Sequence, residues 1–190
     1  MGLLKCRVYK TLFTMRGSMN IVNHNIKTSK RDIVDYWFSI VDECELSVDA
    51  SEAHERCWRC GYENSLERCH IVPEALGKDE ASNLILLCHR CHLENPNIAD
   101  KDIMWDWLRA YSTSFYDTFW LKQGMKEYEF IYGKSVEQEL EDRSIIDVSK
   151  FNRIVGEQLL NTTYHFGQPY LNSATLAGVF RISLKKYEET

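Results

Sequence analysis

The feature that most constrains the fold of this 190-residue chain is a spaced pair of CxxC motifs. Cys57 and Cys60 form the first motif, Cys88 and Cys91 form the second, and 27 residues lie between them. Each motif can chelate a metal ion from one tight turn, and two such turns complete a tetrahedral four-thiolate site. Gly61 directly follows the first motif, where a turn of this kind often needs a positive φ. The spacing therefore predicts a closed structural zinc site, which has no open position for catalysis.

The remaining composition favours an intracellular globular protein. Seven cysteines, an odd number with four of them in CxxC motifs, are a poor disulfide framework and a good metal framework. Hydrophobic residues make up 44% of the chain and charged residues 27%, which is typical of a domain with a packed core. No apolar run approaches the roughly 18 residues that span a bilayer, and the N-terminus lacks a secretory signal. These features predict a cytoplasmic protein in a reducing cell interior, with no membrane partner.

Charge is distributed unevenly along the chain. Residues 1–31 contain seven basic residues and no acidic one, whereas the remainder carries 16 basic and 28 acidic residues, a net charge of −12. A basic arm on an acidic body can bind a polyanion locally, although the overall net charge of −5 by itself argues against a nucleic-acid partner. The alternatives are a solvated tail, an organellar transit peptide, or residues upstream of a true start at Met19.

Hydrophobic patterning predicts a small β-hairpin that follows one helix and precedes another. Residues 31–46 have apolar positions that suit one face of a helix. The apolar runs at 69–72 and 83–88 predict two strands, which are joined by a polar loop containing Pro and Gly at 73–82. Residues 89–96 can form a short helix that ends near its proline.

The C-terminal half of the sequence predicts helices. One long helix is expected over 102–122, with Gly124 as its stop. Ser135 and Ser149 are candidate N-caps of two further helices, and a last helix follows Ser173. The aromatic residues of these helices are expected to belong to a core.

The histidines and the asparagine of the central region carry a family resemblance. His70 lies on the first predicted strand in the run HIVP, Asn83 opens the second in SNLILLC, and His92 follows the last cysteine in CHRCH. With the two cysteine pairs, this order resembles the HNH endonucleases over 57–97, roughly a fifth of the chain. The resemblance implies an α+β fold, in which a ββα-metal HNH finger with two CxxC zinc knuckles is embedded in a mainly helical chain.

The resemblance also implies a role for each matching residue. His70 matches the general base that takes a proton from the attacking water, and Asn83 matches the residue that orients this base or helps to ligate the metal. His92 matches a ligand of a catalytic divalent ion, expected to be Mg²⁺ or Mn²⁺. Products of this family carry 5′-phosphate and 3′-hydroxyl ends. His89 matches nothing in the pattern and is expected to be exposed on the helix.

Cys69 departs from the family pattern, because many members have Asp or His immediately before the base as a further metal ligand. A thiol is a soft ligand and a poor partner for Mg²⁺, which prefers oxygen. Glu67 can supply the oxygen from nearby, water and phosphate can fill the coordination shell, or the ion can be a softer one such as Mn²⁺, Ni²⁺ or Zn²⁺. The fourth alternative is an inactive nuclease.

The sequence as a whole predicts a metal-dependent HNH DNA endonuclease that hydrolyses phosphodiester bonds, of the restriction, phage, mobile-element or defence type. One alternative is a zinc-stabilised nucleic-acid-binding module without cleavage activity, and another is a structural zinc domain that serves protein contacts. We expect three segments: a basic N-terminal segment at 1–31, a helix with the HNH finger at 32–100, and a helical region at 101–190. A homodimer would let one site per chain cut both DNA strands.

Overall fold

The structure is a computed structural model that describes residues 26–42, 45–73, 77–112, 116, 118–162 and 171–189. The first 25 residues of the predicted basic arm lie outside these ranges. The described chain consists of one β-hairpin, one 3₁₀ turn and a series of helices.

Helix α1 (Lys30–Trp37) packs against the hairpin. It begins with a capping box, in which the Ser29 hydroxyl accepts from the backbone N–H of Asp32 at 3.1 Å and the Asp32 carboxylate accepts from the backbone N–H of Ser29 at 3.1 Å. The buried indole Nε1 of Trp37 donates to the carbonyl of Leu84 at 2.7 Å. This bond fixes the end of α1 to the start of the second strand.

The helix predicted over residues 31–46 is wrong at its C-terminal end. Helix α1 ends at Trp37, with Phe38 as its C-cap. The ring of Phe38 packs edge-on against Trp58 at a centroid distance of 5.3 Å, and Leu46 is buried from a later turn. Phe38, Val41 and Leu46 thus reach the same core from irregular chain, whereas Ile40 is 62% exposed. Hydrophobic periodicity does not distinguish such a segment from a helix.

The centre of the chain is a two-stranded antiparallel sheet followed directly by a helix. Strand β1 (Leu66–His70) pairs with β2 (Leu84–Cys88), and helix α2 (His89–Glu94) begins at the next residue. β2 is buried along its whole length, whereas β1 is only partly buried. β1 begins and ends earlier than the predicted 69–72 run, because pairing with β2 starts at Leu66 and stops at His70. The predicted α+β class, with a small antiparallel sheet beside a cysteine cluster in a mainly helical chain, is confirmed.

Five helices follow the hairpin unit: α3 (Lys101–Ala110), α4 (Phe119–Tyr132), α5 (Val136–Asp142), α6 (Val148–Leu160) and α7 (Ser173–Glu188). Ser135 caps α5 as predicted, and its hydroxyl accepts from the N–H of Gln138 at 3.2 Å. Asp147 rather than Ser149 caps α6, because its carboxylate accepts from the N–H of Lys150 at 2.8 Å. Within the described residues, no helix combines the length and the apolar composition needed to cross a membrane.

The single long helix predicted over 102–122, with Gly124 as its stop, is also wrong. The chain forms two helices there, and Gly124 lies inside α4. Helix α4 instead ends before Gly133, whose φ of 73° is the left-handed conformation of a helix C-cap. Gly124 has a packing role: a Cβ atom added there would lie 2.4 Å from the Cβ atom of Leu176 in α7. Helix α7 therefore approaches α4 closely at this glycine.

The buried residues of the described chain form two clusters. The first joins α1, the hairpin, the cysteines, α3 and the first residue of α4. The second joins α4, α5, α6 and α7. Helix α4 runs from one cluster into the other, with Phe119 in the first and Tyr128 in the second. The division into segments at 1–31, 32–100 and 101–190 stays a prediction.

The close approach at Gly124 can be tested by substitution with alanine. Gly124→Ala is expected to lower the free energy of unfolding by about 1–3 kcal/mol, because the added methyl group overlaps Leu176. Gly156→Ala is the matched control: Gly156 lies inside α6, and nothing lies within 4 Å of an added Cβ atom there. The control should raise the free energy by about 0.5–1 kcal/mol through helix propensity. Urea unfolding measures both, and equal effects of the two substitutions would contradict this packing.

Candidate active site and metal centre

Four cysteines from three parts of the chain come together beside the hairpin. Cys57 and Cys60 precede β1, Cys88 ends β2, and Cys91 lies in α2. All four are buried, and their sulfur atoms lie within 4.8 Å of one another. The Sγ atoms of Cys60 and Cys88 are 3.9 Å apart, too far for a disulfide. In a tetrahedral site with Zn–S bonds of about 2.3 Å the sulfurs would be roughly 3.8 Å apart, so the four cysteines fit such an ion.

The first cysteine pair has the backbone geometry of a metal-binding knuckle. Gly61 has a φ of 71°, as the sequence predicted, and its N–H donates to the carbonyl of Cys57 at 2.8 Å. The N–H of Trp58 donates to the carbonyl of Leu86 at 3.1 Å, and the Trp58 indole donates to the carbonyl of Ala53 at 2.8 Å. The knuckle is thus bonded to β2 and does not depend on the cysteines alone for its position.

Hydrogen bonds among the four cysteines shift their pKa values in opposite directions. Hydrogen bonds from Cys57, Cys60 and Cys91 lower the pKa of Cys88, whereas hydrogen bonding to Cys57 raises the pKa of Cys60 and of Cys91. Thiolates are the form that binds metal, so a cation held by the four sulfurs would favour deprotonation of all of them.

A buried arginine lies next to the cluster. The guanidinium of Arg59 stacks over the ring of Trp107 at 4.3 Å and over that of Tyr111 at 4.6 Å. It also donates to the Glu94 carboxylate at 2.5 Å. Burial alone would lower the pKa of Arg59, but the hydrogen bond to Glu94 and the nearby Cys91 raise it above its ordinary value. A permanent positive charge therefore stands beside the sulfurs, where it partly balances a four-thiolate site.

His70, the last residue of β1, is paired with a carboxylate from the interstrand loop. Its Nε2 atom lies 2.6 Å from Oδ1 of Asp79. The side chains are 15% and 30% exposed, respectively, so the pair is partly shielded from water. Sequence reasoning missed Asp79, because the polar loop offers several acidic residues and nothing in their order distinguishes one from another.

Asn83 uses its side chain to hold the interstrand loop. Its Oδ1 atom accepts from the N–H of Val72 at 2.9 Å, and its Nδ2 atom donates to the carbonyls of Val72 and Lys78, each at 3.1 Å. A Cβ atom added at Gly77 would lie 2.3 Å from this Nδ2 atom, so the loop leaves room only for a glycine there. Among the described residues these contacts do not include the imidazole of His70.

Glu67 on β1 lies between the two histidines of α2. Its Oε2 atom is 2.6 Å from Nδ1 of His92, and its Oε1 atom is 2.9 Å from Nδ1 of His89. Partial burial alone would raise the pKa of the Glu67 carboxyl, but the hydrogen bonds from His92 and His89 outweigh it and lower the pKa. His89 is 60% exposed, yet it has a contact that the sequence did not predict. A carboxylate and an imidazole, both able to bind a divalent ion, thus meet across the β1–α2 contact.

Cys69 is buried, and its position before His70 does not provide a charged ligand. Burial, together with the nearby Cys57 and Glu67, raises the pKa of the Cys69 thiol to about 12. The side chain therefore remains a neutral thiol at neutral pH, and its sulfur lies 3.6 Å from the carbonyl of His70. A neutral thiol is a poor ligand for a hard divalent ion.

Comparison with known families gives a match over this part of the chain. Residues 55–97 match the family model described as HNH endonuclease. This segment is an HNH domain. It contains the four cysteines, the hairpin, α2 and the Glu67–His92 pair, and it indicates a nuclease-type function with a nucleic-acid substrate. No curated protein and no solved structure gives a significant match to the chain.

Proposed function

We propose that the chain is a metal-dependent DNA endonuclease that hydrolyses phosphodiester bonds at its HNH domain. The observation that carries this proposal is the 2.6 Å contact between Glu67 of β1 and His92 of α2. It brings a carboxylate oxygen and an imidazole nitrogen together in the same ββα unit whose first strand ends at His70. A module that only binds nucleic acid needs its cysteines but has no use for this pair.

The cysteine cluster is proposed to hold a structural zinc ion. Cys57, Cys60, Cys88 and Cys91 would provide four sulfur ligands, and the distances among them fit a tetrahedral ion. A five-residue strand pair and a six-residue helix bury little surface by themselves. Metal binding is therefore expected to supply much of the folding free energy of this unit.

Glu67 and His92 are proposed to hold the catalytic divalent ion, Mg²⁺ or Mn²⁺. One carboxylate and one imidazole leave most coordination positions for water and phosphate oxygens, which suits these ions. The Glu67 carboxylate takes the place of the oxygen ligand that Cys69 does not provide. Asn83, the third candidate ligand, already uses its amide in three hydrogen bonds, which supports a positioning role instead. When bound, the ion supplies positive charge that stabilises the phosphate and the leaving oxygen in the transition state.

His70 is proposed to act as the general base. Its imidazole takes a proton from a water molecule while the water oxygen bonds to phosphorus. The bond to the 3′ oxygen breaks, so that the products carry a 5′-phosphate and a 3′-hydroxyl group, as the resemblance to HNH nucleases implies. We favour an active nuclease over an inactive one, because His70 is present and lies on a strand that is paired with β2. Homodimerisation and DNA binding by the basic arm remain predictions.

The zinc assignment predicts one tightly bound ion per chain. Metal analysis of protein purified without added zinc should find about one zinc ion. Cys60→Ser is expected to lose this ion and to unfold the first core, since it removes a ligand. Cys69→Ser, which alters a buried cysteine outside the cluster, should retain the ion. A well-folded parent protein that contains no metal would contradict the assignment.

The proposed roles predict that substitutions of His70 and of His92 lower the rate of supercoiled-plasmid cleavage in ways that respond differently to added metal. His70→Ala should lower the rate by a factor on the order of a hundred or more, and extra Mg²⁺ or Mn²⁺ should not restore it. His92→Ala and Glu67→Gln weaken ion binding, so higher ion concentration should partly restore their rates. His54→Ala, an exposed histidine outside the site, is the control.

Two results would count against these roles. Rescue of His70→Ala by extra metal, without rescue of His92→Ala, would show that the roles are reversed. Parent-like cleavage by both variants would show that the HNH domain is not the nuclease centre.

A further inference from the structure

We propose that Asp79 is a positioning residue that orients His70 for proton transfer, a role that rests on the proposed nuclease function. The two side chains meet through a 2.6 Å contact between Nε2 of His70 and Oδ1 of Asp79. Asp79 lies nine residues after His70, in the loop between the strands. It touches neither substrate nor ion in this scheme and acts only through the imidazole.

The hydrogen bond selects which imidazole nitrogen can act as the base. An ionised carboxylate can only accept hydrogen bonds, so a neutral His70 presents its Nε2–H to Asp79 and keeps its lone pair on Nδ1. Within the described residues the Nδ1 atom has no hydrogen-bond partner. Nδ1 is therefore the atom that accepts the proton from water. The electron pair left on the water oxygen forms the new bond to phosphorus, and the 3′ oxygen leaves with its bonding pair and takes a proton from solvent.

The carboxylate also favours the product of this proton transfer. Protonation at Nδ1 turns His70 into a cation that still donates from Nε2 to Asp79. The charge-assisted hydrogen bond is stronger than the neutral one, and partial burial of the two side chains limits its screening by water. Water, His70 and Asp79 would thus form a series in which the carboxylate orients the base and the base activates the nucleophile, an arrangement that is common in enzymes.

The loop around Asp79 is held from both sides. Asn83 bonds to Val72, two residues after His70, and to Lys78, one residue before Asp79. From the other side, the hydroxyl of Thr28 donates to the backbone carbonyl of Asp79 at 2.6 Å. Asn83 thus links the two chain segments that carry the base and its partner. These contacts fix the distance between His70 and Asp79 without using either side chain.

A kinetic test separates positioning from a merely structural ion pair. Asp79→Asn keeps the shape of the side chain and removes its charge, and Asp79→Ala removes the acceptor. Both should lower kcat by about tenfold to a hundredfold while KM changes by about twofold or less, since the substrate contacts remain. Glu80→Gln, a neighbouring exposed acid, is the matched control and should leave both constants unchanged. Parent-like kcat in Asp79→Asn would overturn the proposal.

A spectroscopic test does not require cleavage. The Nε2–H proton of His70, bonded to a carboxylate, should give a low-field proton NMR resonance at low temperature in the parent protein. The resonance should be absent from His70→Ala and Asp79→Ala and present in Glu80→Gln. If the parent cuts DNA but lacks the resonance, the positioning role fails and the proposed function stands. If the parent shows the resonance but cuts nothing, the proposed function fails, and with it the role of Asp79 in catalysis.

Discussion

The four-cysteine cluster is the constraint on which the HNH domain depends. Its sulfurs come from a knuckle before β1, from the end of β2 and from α2, so a cation held by them joins all three parts at one point. Two hydrogen bonds attach neighbouring parts of the chain to the buried strand β2. The backbone N–H of Trp58 in the knuckle donates to the carbonyl of Leu86, and the indole of Trp37 in α1 donates to the carbonyl of Leu84. These two bonds hold β2, the strand against which β1 is aligned, beside the cluster.

That alignment determines which side chains come together at the candidate site. Glu67 is on β1 and His92 follows the last cysteine of the cluster, so the contact between them depends on how α2 is held against the hairpin. His70 ends the same strand, but its partner comes from the interstrand loop, which the cysteines do not reach. The loop has its own support in the amide of Asn83 and in the glycine beside it. The domain thus combines two supports: the cysteine cluster beside the proposed ion ligands, and a hydrogen-bonded loop beside the proposed base.

The sequence predicted the parts of this site that depend on spacing and composition. The cysteine cluster, the positive φ of Gly61 and the ββα order follow from short-range patterns, and the structure agrees with them. Helix ends were harder to predict: α1 stops at Trp37, and Gly124 lies within a helix because α7 packs against it. Asp79 could not be separated from its acidic neighbours, since its contact with His70 depends on the loop conformation. Glu67 was a candidate ligand, but its contact with His89 depends on how the helix faces the strand.

In the proposed function the HNH domain holds two different ions, one among the cysteines and one between Glu67 and His92. Anomalous diffraction from crystals of the zinc-loaded protein soaked in Mn²⁺, recorded at the absorption edges of both metals, would locate each ion separately. We expect a zinc peak enclosed by Cys57, Cys60, Cys88 and Cys91, and a separate manganese peak within bonding distance of Glu67 and His92. A manganese peak only at another position, or no manganese at this pair at a Mn²⁺ concentration that supports cleavage, would contradict the two-ion arrangement.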